Sequence, residues 1–107
     1  MATYDLYGFS SADMDKAKSI LEAALDIQFE VHGSSYHGDR YFKFGEVASE
    51  HFVLKRNVDP FDDEPVEIAY PEHAVLFYVN DTSRSADLQE IIAQKADGFI
   101  LLRHEQL

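Results

Sequence analysis

Hydrophobic and polar positions recur along this chain with two different periods, and each change of period marks an element. Thr3 to Phe9 sets aromatic and apolar residues against polar ones at every second position, the pattern of a strand. Met14, Ala17, Leu21, Ala24 and Leu25 then recur at helical spacing, with Asp15, Lys16, Lys18 and Glu22 on the other side. That arrangement predicts an amphipathic helix ending near Asp26. Ser10 or Ser11 is the predicted N-cap, and Asp13 and Asp15 suit the positive end of its dipole.

Phe29 to His32 and Arg40 to Phe44 are β-rich runs joined by a polar linker with Gly33 and Gly38 near its ends, which predicts a hairpin with a long loop. A strand from His51 to Lys55 follows. In such a meander Phe42, Phe44, Phe52 and Leu54 share a buried face, while Lys43 and Lys55 point to water. Ala74 to Val79 is continuously apolar, as a central strand covered on both faces would be. Ser83 or Ser85 is the predicted cap of a second helix carrying Leu88, Ile91, Ile92 and Ala96. Gly98 ends it in a left-handed conformation, and Phe99 to Leu102 is the last strand.

The predicted order is β-α-β-β-β-β-α-β in a single domain covering residues 1–107. It points to an α+β fold, a ferredoxin-like sandwich whose antiparallel sheet has an extra strand and carries two helices on one face. Ser11-Ala12-Asp13-Met14 and Ser85-Ala86-Asp87-Leu88 open the two helices with nearly the same residues, compatible with two related βα units.

Charge changes the picture. The chain has a formal net charge of −11 and no cysteine. Phosphate binding needs clustered Lys and Arg, so nucleic acid is not an expected ligand. The same charge repels an anionic membrane surface and steers basic proteins inward. Without cysteine there are no disulfides and no thiolate chemistry, which fits a reducing cytoplasm. The N-terminus has no basic region followed by an apolar core, so no secretion signal is expected. The acidity is concentrated between Asn57 and Glu72, where Asp59, Asp62, Asp63, Glu64, Glu67 and Glu72 occur without a Lys or Arg. Phe61, Tyr70, Pro60, Pro65 and Pro71 share that segment. Prolines lower the entropy cost of holding a bound shape, and aromatic residues dominate binding hot spots. Tyr36, in the hairpin loop, is a further candidate anchor.

Catalytic patterns are sparse. His32, His37 and Asp39 flank one loop, but metal ligation needs lone pairs converging to about 2 Å from rigid positions. His51, His73 and His104 lie at strand edges, where half-exposed imidazoles are ordinary. Asp62-Asp63-Glu64 are adjacent in a hydrophilic loop, where water keeps all three ionised. There is no Gly-x-Ser-x-Gly elbow, no serine with a local base, no phosphate-binding glycine loop and no His-Glu-x-x-His motif. No catalytic residue, metal or cofactor is expected.

In its size, acidity, lack of cysteine, α+β pattern and Asn57–Glu72 loop, the chain resembles the small acidic immunity proteins of bacterial toxin systems, such as contact-dependent growth inhibition. The resemblance implies a cytoplasmic protein that binds one cognate toxin domain, often a nuclease, and blocks its active site or substrate groove. Charge and exposure single out Asp59, Phe61, Asp62, Asp63, Glu64, Glu67, Tyr70, Glu72 and Tyr36 for that interface. Thr3 to Asn57 is also similar to a module of the vicinal oxygen chelate superfamily, which includes glyoxalases. Leu25-Asp26-Ile27-Gln28-Phe29 followed by Asp39-Arg40-Tyr41-Phe42-Lys43-Phe44-Gly45 carries that likeness. It implies a metal site built from strand-borne His and Glu, for which His51 and Glu30 are the candidates, completed in a homodimer. A small ligand-binding regulatory domain of ferredoxin-like form is a third reading.

Overall fold

Six strands in the order β2-β3-β4-β5-β1-β6 form one sheet in which every neighbouring pair is antiparallel. The strands are β1 (Thr3–Phe9), β2 (Glu30–Gly33), β3 (Arg40–Gly45), β4 (His51–Arg56), β5 (Val75–Thr82) and β6 (Phe99–Gln106). Helix α1 (Met14–Leu25) follows β1, and α2 (Ser85–Lys95) lies between β5 and β6. The computed structural model describes residues 2–33, 40–46, 48–58 and 64–106. Among them no helix is long and apolar enough to cross a membrane.

Both helices bury their apolar stripes in one cluster with the same side of the sheet. Met14, Ala17, Leu21 and Ala24 of α1 and Leu88 and Ile92 of α2 join Tyr7, Phe9, Phe42, Phe52, Leu54, Val75, Phe77, Val79 and Phe99. Phe42, Phe52 and Leu54 share the predicted buried face of the meander, with Phe44 partly buried against it; Phe42 lies opposite Leu54 and Phe44 opposite Phe52. Phe77 sits at the centre, edge-on to Phe29, Phe52 and Phe99 with ring centroids 5.7–6.3 Å apart. Such contacts add specificity to simple area burial.

The helix ends differ from expectation. Asp13, not Ser10 or Ser11, caps α1, its carboxylate accepting from Lys16 N at 3.0 Å; Ser11 Oγ in turn accepts from Asp13 N. Asp26 closes the helix in the left-handed region, φ 55°, which Asp tolerates better than most residues. Arg84, not Ser83 or Ser85, occupies the N-cap of α2 and gives no side-chain cap. Ser85 is already inside the helix and its hydroxyl goes elsewhere. Gly98 has the predicted positive φ, 94°, two residues beyond the C-cap Ala96. A Cβ there would meet the Phe9 ring at 2.7 Å, so the stacking of Phe9 on Phe99 also depends on this glycine.

The strands β5 and β6 run further than predicted, to Thr82 and Gln106, because β1 pairs with both along its whole length. Strand β5 is covered on both faces, as its apolar run requires. Val75, Phe77 and Val79 face the helices, whereas Leu76 and its neighbour Leu6 are 0% and 1% exposed yet lie outside the helix-side cluster. Something other than a helix covers them.

Candidate functional site

On the face of the sheet that carries Leu6 and Leu76 lies the described part of the acidic connection between β4 and β5, whose His73 packs against Gly8 and whose Glu67 and Tyr70 bond to β5 and β6. Asn57, buried just after β4, reaches across it with its whole amide. Its Nδ2 donates to the carbonyls of Tyr70 (2.9 Å) and His73 (3.0 Å), and its Oδ1 accepts from Glu67 N (2.8 Å). Its backbone N–H donates to Ala74 O, so three of the amide's four hydrogen-bonding positions and the main chain are all engaged. Further bonds from Tyr70 N to Glu67 O and from His73 N to Tyr70 O coil residues 67–73 into successive turns.

Side chains then fasten this segment to the sheet. Tyr70 donates its hydroxyl to Leu102 O at 2.9 Å. Glu67 accepts from the Tyr78 hydroxyl at 2.9 Å and from Arg103 Nη1 and Nη2, each at 3.2 Å. The His73 ring lies over Gly8, where an added Cβ would sit 2.6 Å from its Cγ. Only glycine at position 8 lets the loop lie so close. Burial raises the Glu67 pKa, but bonds from Arg103 and Tyr78 and the charges of Arg103 and Lys55 outweigh it, so the net shift is downward. Tyr78 is shifted upward, by burial first and then by its bond to Glu67.

The predicted interface residues therefore divide. Glu67 and Tyr70 are half-buried and committed to the sheet, so they hold the loop in place. Glu64 and Glu72 are exposed, and Glu72 lies 3.5 Å from His73 Nε2. Asp59, Phe61, Asp62, Asp63 and Tyr36 lie outside the described residues, as do His37 and Asp39. The alternative metal ligands are occupied locally. His51 uses Nδ1 on Ser49 O at 2.8 Å and Nε2 on Asn80 at 3.3 Å, and Glu30 lies 3.4 Å from His32. Among the described residues no group of three His, Asp or Glu is placed to hold a metal ion.

A second cluster, which the sequence reading did not find, centres on Asp5 of β1 on the helix side. Asp5 is inward-facing, with its side chain 0% exposed. Its Oδ2 accepts from the Ser85 hydroxyl and its Oδ1 lies against His104 Nδ1, each at 2.5 Å. Gln89 Nε2 donates to Ser85 Oγ at 3.0 Å. The one available signal was period two, which puts Asp5 on the buried face of Tyr7 and Phe9. A carboxylate there needs donors from elsewhere, and these come 80 and 99 positions later.

Beside it, a bulge opposite β1 brings the buried Thr82 to the start of α2. Thr82 Oγ1 accepts from Arg84 N and donates to Glu50, while Arg84 binds Glu50 at 2.6 Å through Nη2. The Arg84 bonds hold the Glu50 pKa below its ordinary value, against the opposing effect of burial. This ties the N-terminus of α2 to the start of β4.

No protein-family model matches the chain, and no curated protein or solved structure matches it.

Proposed function

We propose that this chain is an inhibitor of the immunity type, which docks a basic protein domain through its Asn57–Glu72 loop. The observation that carries the reading is the anchoring of that loop by Asn57, Glu67 and Tyr70. Among the described residues the segment is tied to the sheet at several points, which fixes the backbone of residues 67–73 beside the exposed Glu72. Less ordering entropy is then lost on binding than with a free tail. The net charge of −11 supplies the long-range attraction for a cationic partner such as a nuclease groove. Within this reading Asp59, Asp62, Asp63, Glu64 and Glu72 make the contacts, with Phe61 and Tyr36 as apolar anchors. Glu67 and Tyr70 act by shaping the loop. The protein works in the cytoplasm and needs no cofactor.

The ferredoxin-like reading of the fold is supported by the strand order. Setting β2 and β3 aside, α1 lies between the parallel strands β1 and β4, with β5 between them. Helix α2 links the parallel strands β5 and β6, with β1 between. These are two split β-α-β units. The enlargement is then a two-strand hairpin at one edge, not one strand.

The test is binding kinetics against the product of the adjacent gene at two ionic strengths. Neutralising Asp62, Asp63 and Glu64 together lowers the on-rate and flattens its salt dependence. Phe61→Ala raises the off-rate about 30-fold, equivalent to roughly 2 kcal/mol. Unchanged rates in both variants would move the interface away from this loop.

A further inference from the structure

We propose that the outer edge of β6 takes up an extended segment of a basic protein as a further strand of the sheet. The inference does not rest on the docking proposed for the Asn57–Glu72 loop, because the main chain of β6 supplies the contacts.

Strand β6 ends the sheet on one side and pairs only with β1. It has eight residues, against four in β2 at the other edge. Among the described residues, the main chain from Ile100 to Gln106 has one bond beyond the β1 ladder, the Tyr70 hydroxyl on Leu102 O. Alternate residues of a paired strand direct N–H and C=O away from the neighbour, so an edge strand offers a row of unpaired donors and acceptors. Natural edges are kept from pairing by shortness, lysine, proline or a bulge. Strand β6 has a bulge at Leu102 but neither lysine nor proline, and it opens with the apolar run Phe99-Ile100-Leu101-Leu102.

Both faces of that edge carry an exposed apolar residue. Leu101 lies opposite Tyr7, on the helix side, and is 38% exposed; Ile100 lies opposite Gly8, on the other side, and is 57% exposed. A strand laid beside β6 would set its alternate side chains against these two residues in turn. The Ile100 face of this edge carries net negative charge. Glu105, opposite Tyr4, shares that face, and Arg103 serves both Glu105 and Glu67, one cation between two carboxylates. Glu72, beside the His73 that packs on Gly8, adds another.

These features define the incoming strand. Lysine or arginine at alternate positions would meet the carboxylates while the aliphatic stem lies over Ile100, and apolar residues between them would meet Leu101. A second copy of this chain offers the same edge, but two chains of charge −11 repel. The occupant is therefore a cationic strand from another protein.

The probe is a peptide of alternating lysine and valine as long as β6, titrated into the full chain. Binding should saturate below about 1 mM, and amide hydrogen exchange should slow within Ile100–Gln106 but not in β2. Ile100→Lys removes an exposed apolar contact and sets a cation on the edge, so it should weaken binding about tenfold or more. Val31→Lys makes the same change at an exposed position of β2 and should alter affinity less than about twofold. The exchange measurement on the wild type stands even if Ile100→Lys lowers stability. Failure to saturate, equal effects of the two substitutions, or binding that leaves the β6 amides unprotected would each overturn the proposal. Sedimentation showing that the chain alone pairs through β6 would overturn it too, by giving the edge to a second copy.

Discussion

Arg103 holds Glu67 with two hydrogen bonds of 3.2 Å, so a strand at the edge of the sheet grips the acidic loop. The pair fastens the segment to the face of the sheet opposite the helices. It also makes the stability of that attachment depend on protonation.

Glu67 and Glu50 both have pKa values held below their ordinary 4.5 in the folded state. For each, the folded form binds its proton less readily than the unfolded form. The stabilisation is therefore complete above about pH 4.5 and is lost as pH falls through the lower folded values. Urea unfolding of wild type and Arg103→Ala should differ by about 1 kcal/mol at pH 7, and the difference should shrink on acidification below pH 4.5. A gap independent of pH down to pH 2 would show that Arg103 acts by packing instead.

Asn57 is the joint of the loop. Asn57→Ala removes two donors and one acceptor from buried partners and should cost about 2–3 kcal/mol. Asn57→Asp should be no better at neutral pH, because it sets a negative charge against the carbonyls of Tyr70 and His73. Chemical denaturation measures both, and a loss below about 0.5 kcal/mol in either would mean that other bonds suffice to hold the loop.

Leu21 and Leu76 are both fully buried, one on α1 within the helix-side core and one on β5 outside that cluster. Leu→Ala at either should cost about 2–5 kcal/mol. The two pack on opposite sides of the sheet. Hydrogen exchange should show increased opening of residues 64–73 in Leu76→Ala but not in Leu21→Ala.

Gly8→Ala tests the close approach of loop and strand. Its Cβ would fall 2.6 Å from His73 Cγ and 2.8 Å from Leu102 Cδ1, so the ring, the leucine or the strand must shift. The expected cost is about 1–3 kcal/mol, and truncating His73 to alanine in the same chain should recover part of it. Strict additivity of the two changes would show that they do not meet.

The order of elements and the helix-side core were legible in the sequence, because both are written in local periodicity. Phe42, Phe52 and Leu54 alternate, Met14, Ala17, Leu21 and Ala24 recur at helical spacing, and Val75 to Val79 is apolar throughout. Burial of a face leaves such a trace whatever the partner is. The caps were less legible, since Ser11, Asp13 and Ser85 are chemically interchangeable in that role and only backbone geometry selects among them.

Tertiary structure decided the rest. Composition marks Glu67 and Tyr70 as surface candidates, yet Tyr78, Leu102 and Arg103 claim them, because the order β5-β1-β6 brings those strands under the loop. Asp5 and His104 are 99 positions apart and meet because β6 pairs with β1 in the register that puts one opposite the other. Periodicity records whether a side chain is buried. Which distant group meets it depends on strand order and register, and those are set by the packing of the whole chain.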